Sequence, residues 1–167
     1  MITIIIQNTP IRSVSNVKYL GVTIDEHLSF NEHINRISHK ANSIKAFLQR
    51  NIKSCPLKVK DNCYKIMVRP IMEYACTVWS PYTRKNIQGL EAVQRRAACF
   101  VKNDYRFTSS VTAMLQDLEW PTLEERRWAI KATMLFKILH HLVCIPADQY
   151  LKAITDHTRR HQQRLQQ

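Results

Sequence analysis

The apolar positions of this 167-residue chain change rhythm once, near residue 28. Before that point they form β-branched runs: ITIIIQ at 2–7, then Val14, Val17, Tyr19, Val22 and Ile24 about the pair Leu20-Gly21. Runs of this kind broken at a glycine predict a small hairpin with a tight turn at Leu20-Gly21. After it the spacing is three and four. Ile34, Ile37, Ala41, Ile44, Phe47 and Leu48 trace one face of a helix reaching about Arg50, and Ser29-Phe30-Asn31-Glu32 before it has the S-x-x-E form of a capping box. A second helix starts at Pro56, whose fixed φ suits a first turn. Its expected buried stripe is Leu57, Cys63, Ile66, Met67, Ile71, Tyr74, Ala75 and Val78. Pro70 lies inside that pattern and predicts a kink or a split, because proline lacks a donor and clashes one turn back.

Ser80-Pro81 ends the second helix, and a third runs from Thr83 to about Lys102, burying Ile87, Leu90, Val93, Ala97, Phe100 and Val101. A short helix is expected from Ser110 to Leu118. Thr122-Leu123-Glu124-Glu125 is a second capping box, opening a long helix to about Val143 that Pro146 stops. The fold class is therefore mainly α: an N-terminal β-hairpin followed by a bundle of four to five helices. Three regions follow: the hairpin at 1–28, a helical domain at 29–150, and a polar, basic, loose tail at 151–167. ITIIIQ sits awkwardly in this plan, as an apolar strand with no evident sheet to join.

Composition narrows the function classes. The chain is long enough for one domain with a core and too short for a complete polymerase. Its 25 Lys and Arg against 13 Asp and Glu leave a net charge of +12. That excess favours a polyanionic partner, nucleic acid before an anionic membrane surface. Two glycines, Gly21 and Gly89, are too few for a phosphate-cradling loop. Cys55, Cys63, Cys76, Cys99 and Cys144 are odd in number and form no CxxC pair, which argues against a disulfide framework and for an intracellular setting, nuclear or cytoplasmic. No signal peptide or membrane-spanning run is visible, and no membrane partner is expected.

Two-metal phosphoryl transfer needs clustered carboxylates. The sequence has no Asp-Asp pair; its adjacent acidic pairs, Asp25-Glu26 and Glu124-Glu125, both lie where helices begin and read as caps. His140, His141 and Cys144 share a helical turn, and His157 and His161 have i, i+4 spacing, but neither set reaches four ligands. No catalytic or metal-binding residue is assigned. The basic residues are better candidates. On a helical wheel Arg84, Arg95 and Lys102 share one flank of the third helix, with Lys85 and Arg96 opposite its apolar stripe. Arg36, Lys40, Lys45 and Arg50 add charge on the first helix. Tyr19, Tyr64, Tyr74, Trp79 and Trp120 lie on or beside apolar patterns and are expected to pack rather than to stack on bases.

Four segments, in order, carry a resemblance: VKYLGVTID at 17–25, HINRISHKA at 33–41, VRPIMEYACTVWSPYT at 68–83 and LEAVQRRAACFV at 90–101. The chain resembles the C-terminal part of the reverse transcriptase of non-LTR (LINE-type, jockey-like) retrotransposons, from about residue 4 to residue 159. In that family the YLG hairpin closes the palm as a primer grip, and the helices after it form a thumb and connector. The resemblance implies a primer-grip role for Lys18, Tyr19, Leu20 and Gly21. It implies, as a region, phosphate contacts by Arg36, Lys40, Arg84, Lys85, Arg95, Arg96 and Lys102. The family's catalytic carboxylates lie upstream of YLG, so Mg²⁺ would belong to a palm and fingers that this sequence lacks, and no cofactor is expected here. The expected function is that of a polymerase fragment binding RNA or DNA template–primer non-specifically through its phosphate backbone, not catalysis by this chain alone. The alternatives are a non-catalytic helical protein-interaction module, a helix-turn-helix binder disfavoured by Pro81, and a functionless retroelement remnant.

Overall fold

The structure is a computed structural model that describes residues 14–147 and 151, together with the backbone of 5–6, 9–10, 152–153 and 165–166. A short antiparallel pairing joins β1 (Ile5–Ile6) to β2 (Thr9–Pro10). The rest of ITIIIQ, the histidines His157 and His161, and most of the tail lie outside the described residues. β3 (Asn16–Tyr19) and β4 (Val22–Asp25) form the expected hairpin, with Tyr19 opposite Val22. Leu20 (φ 44°) and Gly21 (φ 85°) fill its two-residue loop. Positive φ at both positions is the signature of a type I′ turn, whose twist matches that of the strands; glycine adopts it without strain.

The helices follow in the expected order: α1 (Asn31–Asn51), α2 (Leu57–Cys63), a π-helical turn Tyr64–Val68, α3 (Arg69–Glu73), α4 (Cys76–Trp79), α5 (Arg84–Lys102), α6 (Val111–Asp117) and α7 (Leu123–Leu139). The long last helix thus ends at Leu139, short of Val143. The chain is mainly helical, with the N-terminal hairpin leading into the helices. It divides into two compact units, 1–127 and 128–167. In the second, α7 continues from Trp128, Phe136 packs on the His140 ring at 4.0 Å, and β5 (Lys152–Ala153) pairs with β6 (Leu165–Gln166). Among the described residues no helix is long and apolar enough to cross a membrane.

The core of the first unit lies where α1 and α5 pack together. Ile34, Ile37, Ala41 and Leu48 meet Leu90, Val93, Ala97 and Val101, all buried. Thr83 caps α5 by accepting the Asn86 N–H, and Ser110 caps α6 in the same way. At α7 the capping box is reciprocal: Thr122 N–H donates to the Glu125 carboxylate at 2.9 Å, and Glu125 N–H to the Thr122 hydroxyl at 3.1 Å.

Two local expectations fail. The Ser29 capping box does not form. Instead the Asp25 carboxylate accepts N–H bonds from His27, Ser29 and Phe30, at 3.1, 3.0 and 2.7 Å, and the Ser29 hydroxyl at 3.1 Å. The charged Asp25 carboxylate at the end of β4 takes the Ser29 N–H that Glu32 would accept in a capping box, and the Ser29 hydroxyl accepts the Asn31 N–H at 3.4 Å. The buried stripe of the second helix is also displaced. Lys60, Tyr64, Val68, Met72, Cys76 and Trp79 face inward, whereas Leu57, Ile66, Met67, Tyr74 and Val78 are exposed. The expectation used 3.6 residues per turn. Proline at the start of α3 cannot donate to the preceding turn, and the chain there widens to π, so inward positions recur every four residues from Lys60 to Cys76.

Candidate nucleic-acid interface

α1 carries the basic residues that matter because it is apolar on one stripe only. His33, Arg36, Ile37 and Lys40 share one flank, spaced three and four apart, and face the hairpin and α3. Asn35, Ser38, His39 and Asn42 share the other and face α5. Each flank lines a recess of about 290 Å³.

The first recess lies under the hairpin turn. Lys18 and Gly21 of the hairpin, Arg36 and Lys40 of α1, and Tyr74 after α3 line it, with no carboxylate among the described lining residues. Arg36 Nη2 donates to the Gly21 carbonyl at 2.5 Å, and the Tyr74 hydroxyl donates to the Leu20 carbonyl at 3.0 Å. The turn is thus clamped by one side chain from each of two helices. Tyr74 was expected in the core; the π turn rotates it outward, where it holds Leu20 instead. Tyr19 and Leu20 are likewise exposed, at 65% and 74%.

Beneath the turn, His33 is buried against Trp79, ring centroids 5.1 Å apart. Its Nδ1 accepts the Thr23 N–H at 3.2 Å and lies 3.0 Å from Arg36 Nη2. These donors fix the neutral tautomer with hydrogen on Nε2. Burial first, and the Arg36 charge second, lower its pKa to about 4. His33 Nε2 and Arg36 Nε have no hydrogen-bond partner among the described residues.

The second recess runs between α1 and α5 and contains Lys85, Arg96 and Gly89. Asn42 Oδ1 accepts from Arg96 Nε and Nη2, at 3.3 and 3.1 Å, so that guanidinium is held in place. Lys85 and Arg96 therefore lie on the α1-facing flank of α5 rather than opposite its apolar stripe. Arg84 and Arg95 are exposed, and Lys102 forms an ion pair with Asp117 at 3.2 Å. The seven basic candidates accordingly form three groups, not one continuous face. In the sequence Gly89 counts only, with Gly21, against a phosphate-cradling loop. It sits mid-helix without positive φ, and a Cβ there would meet nothing within 4 Å. A mid-helix glycine costs roughly 1 kcal/mol against alanine. In a chain with two glycines that cost was the available signal.

Other polar groups serve the fold. The Glu73 carboxylate accepts from Arg126 Nε and, at 3.0 Å, from its Nη2. Glu91 accepts the Leu123 and Glu124 N–H groups and stands 3.8 Å from the buried Arg127. Burial raises the Glu91 pKa and lowers that of Arg127. Tyr64 stacks on Trp120 at 4.0 Å and donates to Gln94. Trp79 and Trp120 are buried with both indole N–H groups satisfied. Among the described residues no group of three His, Cys, Asp or Glu side chains could hold a metal ion, and Asp25 is committed to its cap. The described residues do not fit a two-metal site.

No family model matches the chain, and no solved structure does. Two curated proteins do. The probable RNA-directed DNA polymerase from transposon X-element of Drosophila melanogaster is 26% identical over 121 residues, 71% of this chain. The probable RNA-directed DNA polymerase from transposon BS of the same species is 28% identical over 116 residues, 67% of this chain. The matched region is 13% of each relative, so the chain spans a small part of their length. The resemblance carried by the YLG hairpin and the helical motifs is supported to that extent: the chain is similar to a part of two transposon RNA-directed DNA polymerases.

Proposed function

We propose that this chain grips a template–primer by its phosphate backbone, as a thumb-like and primer-grip-like part of an RNA-directed DNA polymerase. The Mg²⁺ ions and catalytic carboxylates would come from a palm outside this sequence. One observation carries the reading: residues from the hairpin turn and from α1, namely Lys18, Gly21, Arg36 and Lys40, line one recess free of carboxylates among the described residues. Cations converging on a recess attract phosphate, and an arginine fork adds directional donors. Arg84, Lys85, Arg95, Arg96 and Lys102 extend the positive field along α5, with Lys102 partly neutralised by Asp117. The relatives' names, which describe polymerases of RNA templates, agree with this partner.

The test is binding of labelled DNA and RNA of unrelated sequences across a salt series. Affinity should fall linearly on a log–log scale, by roughly 0.7–0.9 of a log unit per log unit of salt for each phosphate contact. Lys18→Ala and Lys40→Ala should each weaken binding for all sequences alike and flatten the slope. Undetectable binding at low salt, or binding indifferent to salt, would refute the proposal. A second reading, a helical protein-interaction module, has in its favour the exposed apolar residues Ile66, Met67 and Val78. Self-association or capture of a discrete protein partner, without nucleic-acid affinity, would establish it instead.

A further inference from the structure

The last helix changes character at Arg127. Up to that residue α7 buries Leu123 and Arg127; beyond it, from Trp128 to Leu139, no residue is buried. Yet this half is apolar. Trp128, Ala132, Leu135, Phe136 and Leu139 recur at helical spacing on one face, with Trp128 70%, Phe136 55% and Leu139 40% exposed. Ile130, Met134 and Ile138 form a second stripe, which is half-buried. A helix of three turns owes most of its stability to packing an apolar face, so the exposed stripe marks a contact that the described residues do not supply. Its surroundings are basic: Lys131, Lys137 and His140 are exposed, and residues 128–147 contain no Asp or Glu. That charge discriminates between occupants. A second copy would set these lysines against their like on a chain of net charge +12. A lipid surface suits a helix whose face opposite the apolar one is strongly charged, whereas here that face carries Ile130 and Met134. A groove with an apolar floor and acidic walls meets both features, the apolar stripe and the basic flanks.

We infer that the second half of α7, Trp128 to Leu139, docks in the acidic, apolar groove of a helix-binding protein. Trp128 and Phe136 are the anchors, eight residues and about 12 Å apart along the helix. Lys131 and Lys137 meet carboxylates on the groove walls, which sets orientation and association rate more than affinity. The surface lies within the second unit and contains none of the seven basic phosphate candidates. It is therefore independent of the template–primer reading.

The probe is calcium-loaded calmodulin, an acidic protein whose methionine-rich groove repacks around many basic helices. Trp79 and Trp120 are buried and Trp128 is exposed, so a blue shift of tryptophan emission on binding reports Trp128. Trp128→Phe should abolish that shift while binding persists, read by the anisotropy of dye-labelled calmodulin. Phe136→Gln should weaken binding about tenfold, and so should Lys131→Glu with Lys137→Glu, the charge pair acting most at low salt. All these side chains are exposed, so helicity by circular dichroism and Tm should not fall. Ile66→Gln, on the exposed apolar surface of the first unit, should bind as the parent chain does. No binding at micromolar calmodulin, or binding unmoved by Phe136→Gln, would overturn the inference. Self-association abolished by Phe136→Gln would also overturn it, the occupant then being a second copy. So would a blue shift with vesicles of phosphatidylserine and phosphatidylcholine where calmodulin gives none, the occupant then being a lipid surface. Nucleic-acid affinity should be unchanged in Phe136→Gln, and its absence from the parent chain would remove the template–primer reading alone.

Discussion

His33 joins the hairpin to α1 through a hydrogen bond that only its neutral ring can accept. Its folded pKa is lowered to about 4, against an ordinary value of 6.5 in the unfolded chain. Between these values the unfolded state takes up the proton and the folded state does not, so stability falls as pH is lowered from about 6.5 to about 4. Above that window the ring is neutral in both states and contributes no slope. Urea unfolding followed across pH 4–7 should show the decline, and His33→Asn should flatten it. A slope that survives this substitution would assign the proton elsewhere. Asp25 acts in the same direction at lower pH. Its carboxylate is held below the ordinary range by the Ser29 and Phe30 N–H groups despite some desolvation, so its contribution is present above about pH 3.8 and lost below it. The two windows hardly overlap, which lets one titration separate them.

At the scale of elements, the segment from α2 to α4 is the instructive one. A single proline changes which side chains the core receives, since the π turn before it converts a spacing of 3.6 into one of four. Met72 is fully buried and Ile66 is 73% exposed, although both fit an apolar pattern in the sequence. Met72→Ala should therefore cost about 2–5 kcal/mol through lost burial and a residual cavity. Ile66→Ala should change stability by no more than about 0.5 kcal/mol. Denaturant midpoints of the two variants settle the register; equal losses would mean that the ordinary helical spacing persists through Pro70. The same shift brings Tyr74 out to hold the hairpin turn, so the recess beneath that turn depends on the irregularity as much as on the basic residues.

At the scale of the molecule, the basic candidates among the described residues are distributed rather than pooled. One cluster lies under the hairpin, one between α1 and α5, and Arg84 and Arg95 stand apart on α5. Exposed charges in separate recesses that share no partner should act independently. Lys40→Ala and Lys85→Ala are expected to lower the salt slope of nucleic-acid binding by about one phosphate each, and the double variant by the sum. A double variant no worse than either single one would show that both lysines serve a single contact.

Much of this was legible in the sequence. The hairpin, the order of the helices and the reciprocal cap at Thr122 follow from local rules: glycine where φ is positive, hydroxyl and carboxylate three residues apart, apolar residues every three or four. These act within a few residues and need no knowledge of the fold. The net charge and the YLG-centred resemblance were likewise properties of the chain alone. The tertiary structure decided which acceptor caps α1, which face of the α2–α4 segment turns inward, and which cations share a recess. Each is a competition that spacing rules do not rank: the Asp25 carboxylate against that of Glu32 for the Ser29 N–H, Pro70 against the helical period, the two flanks of α1 against the hairpin and α5. Linear spacing cannot rank such competitors, because the outcome depends on which surfaces packing brings together.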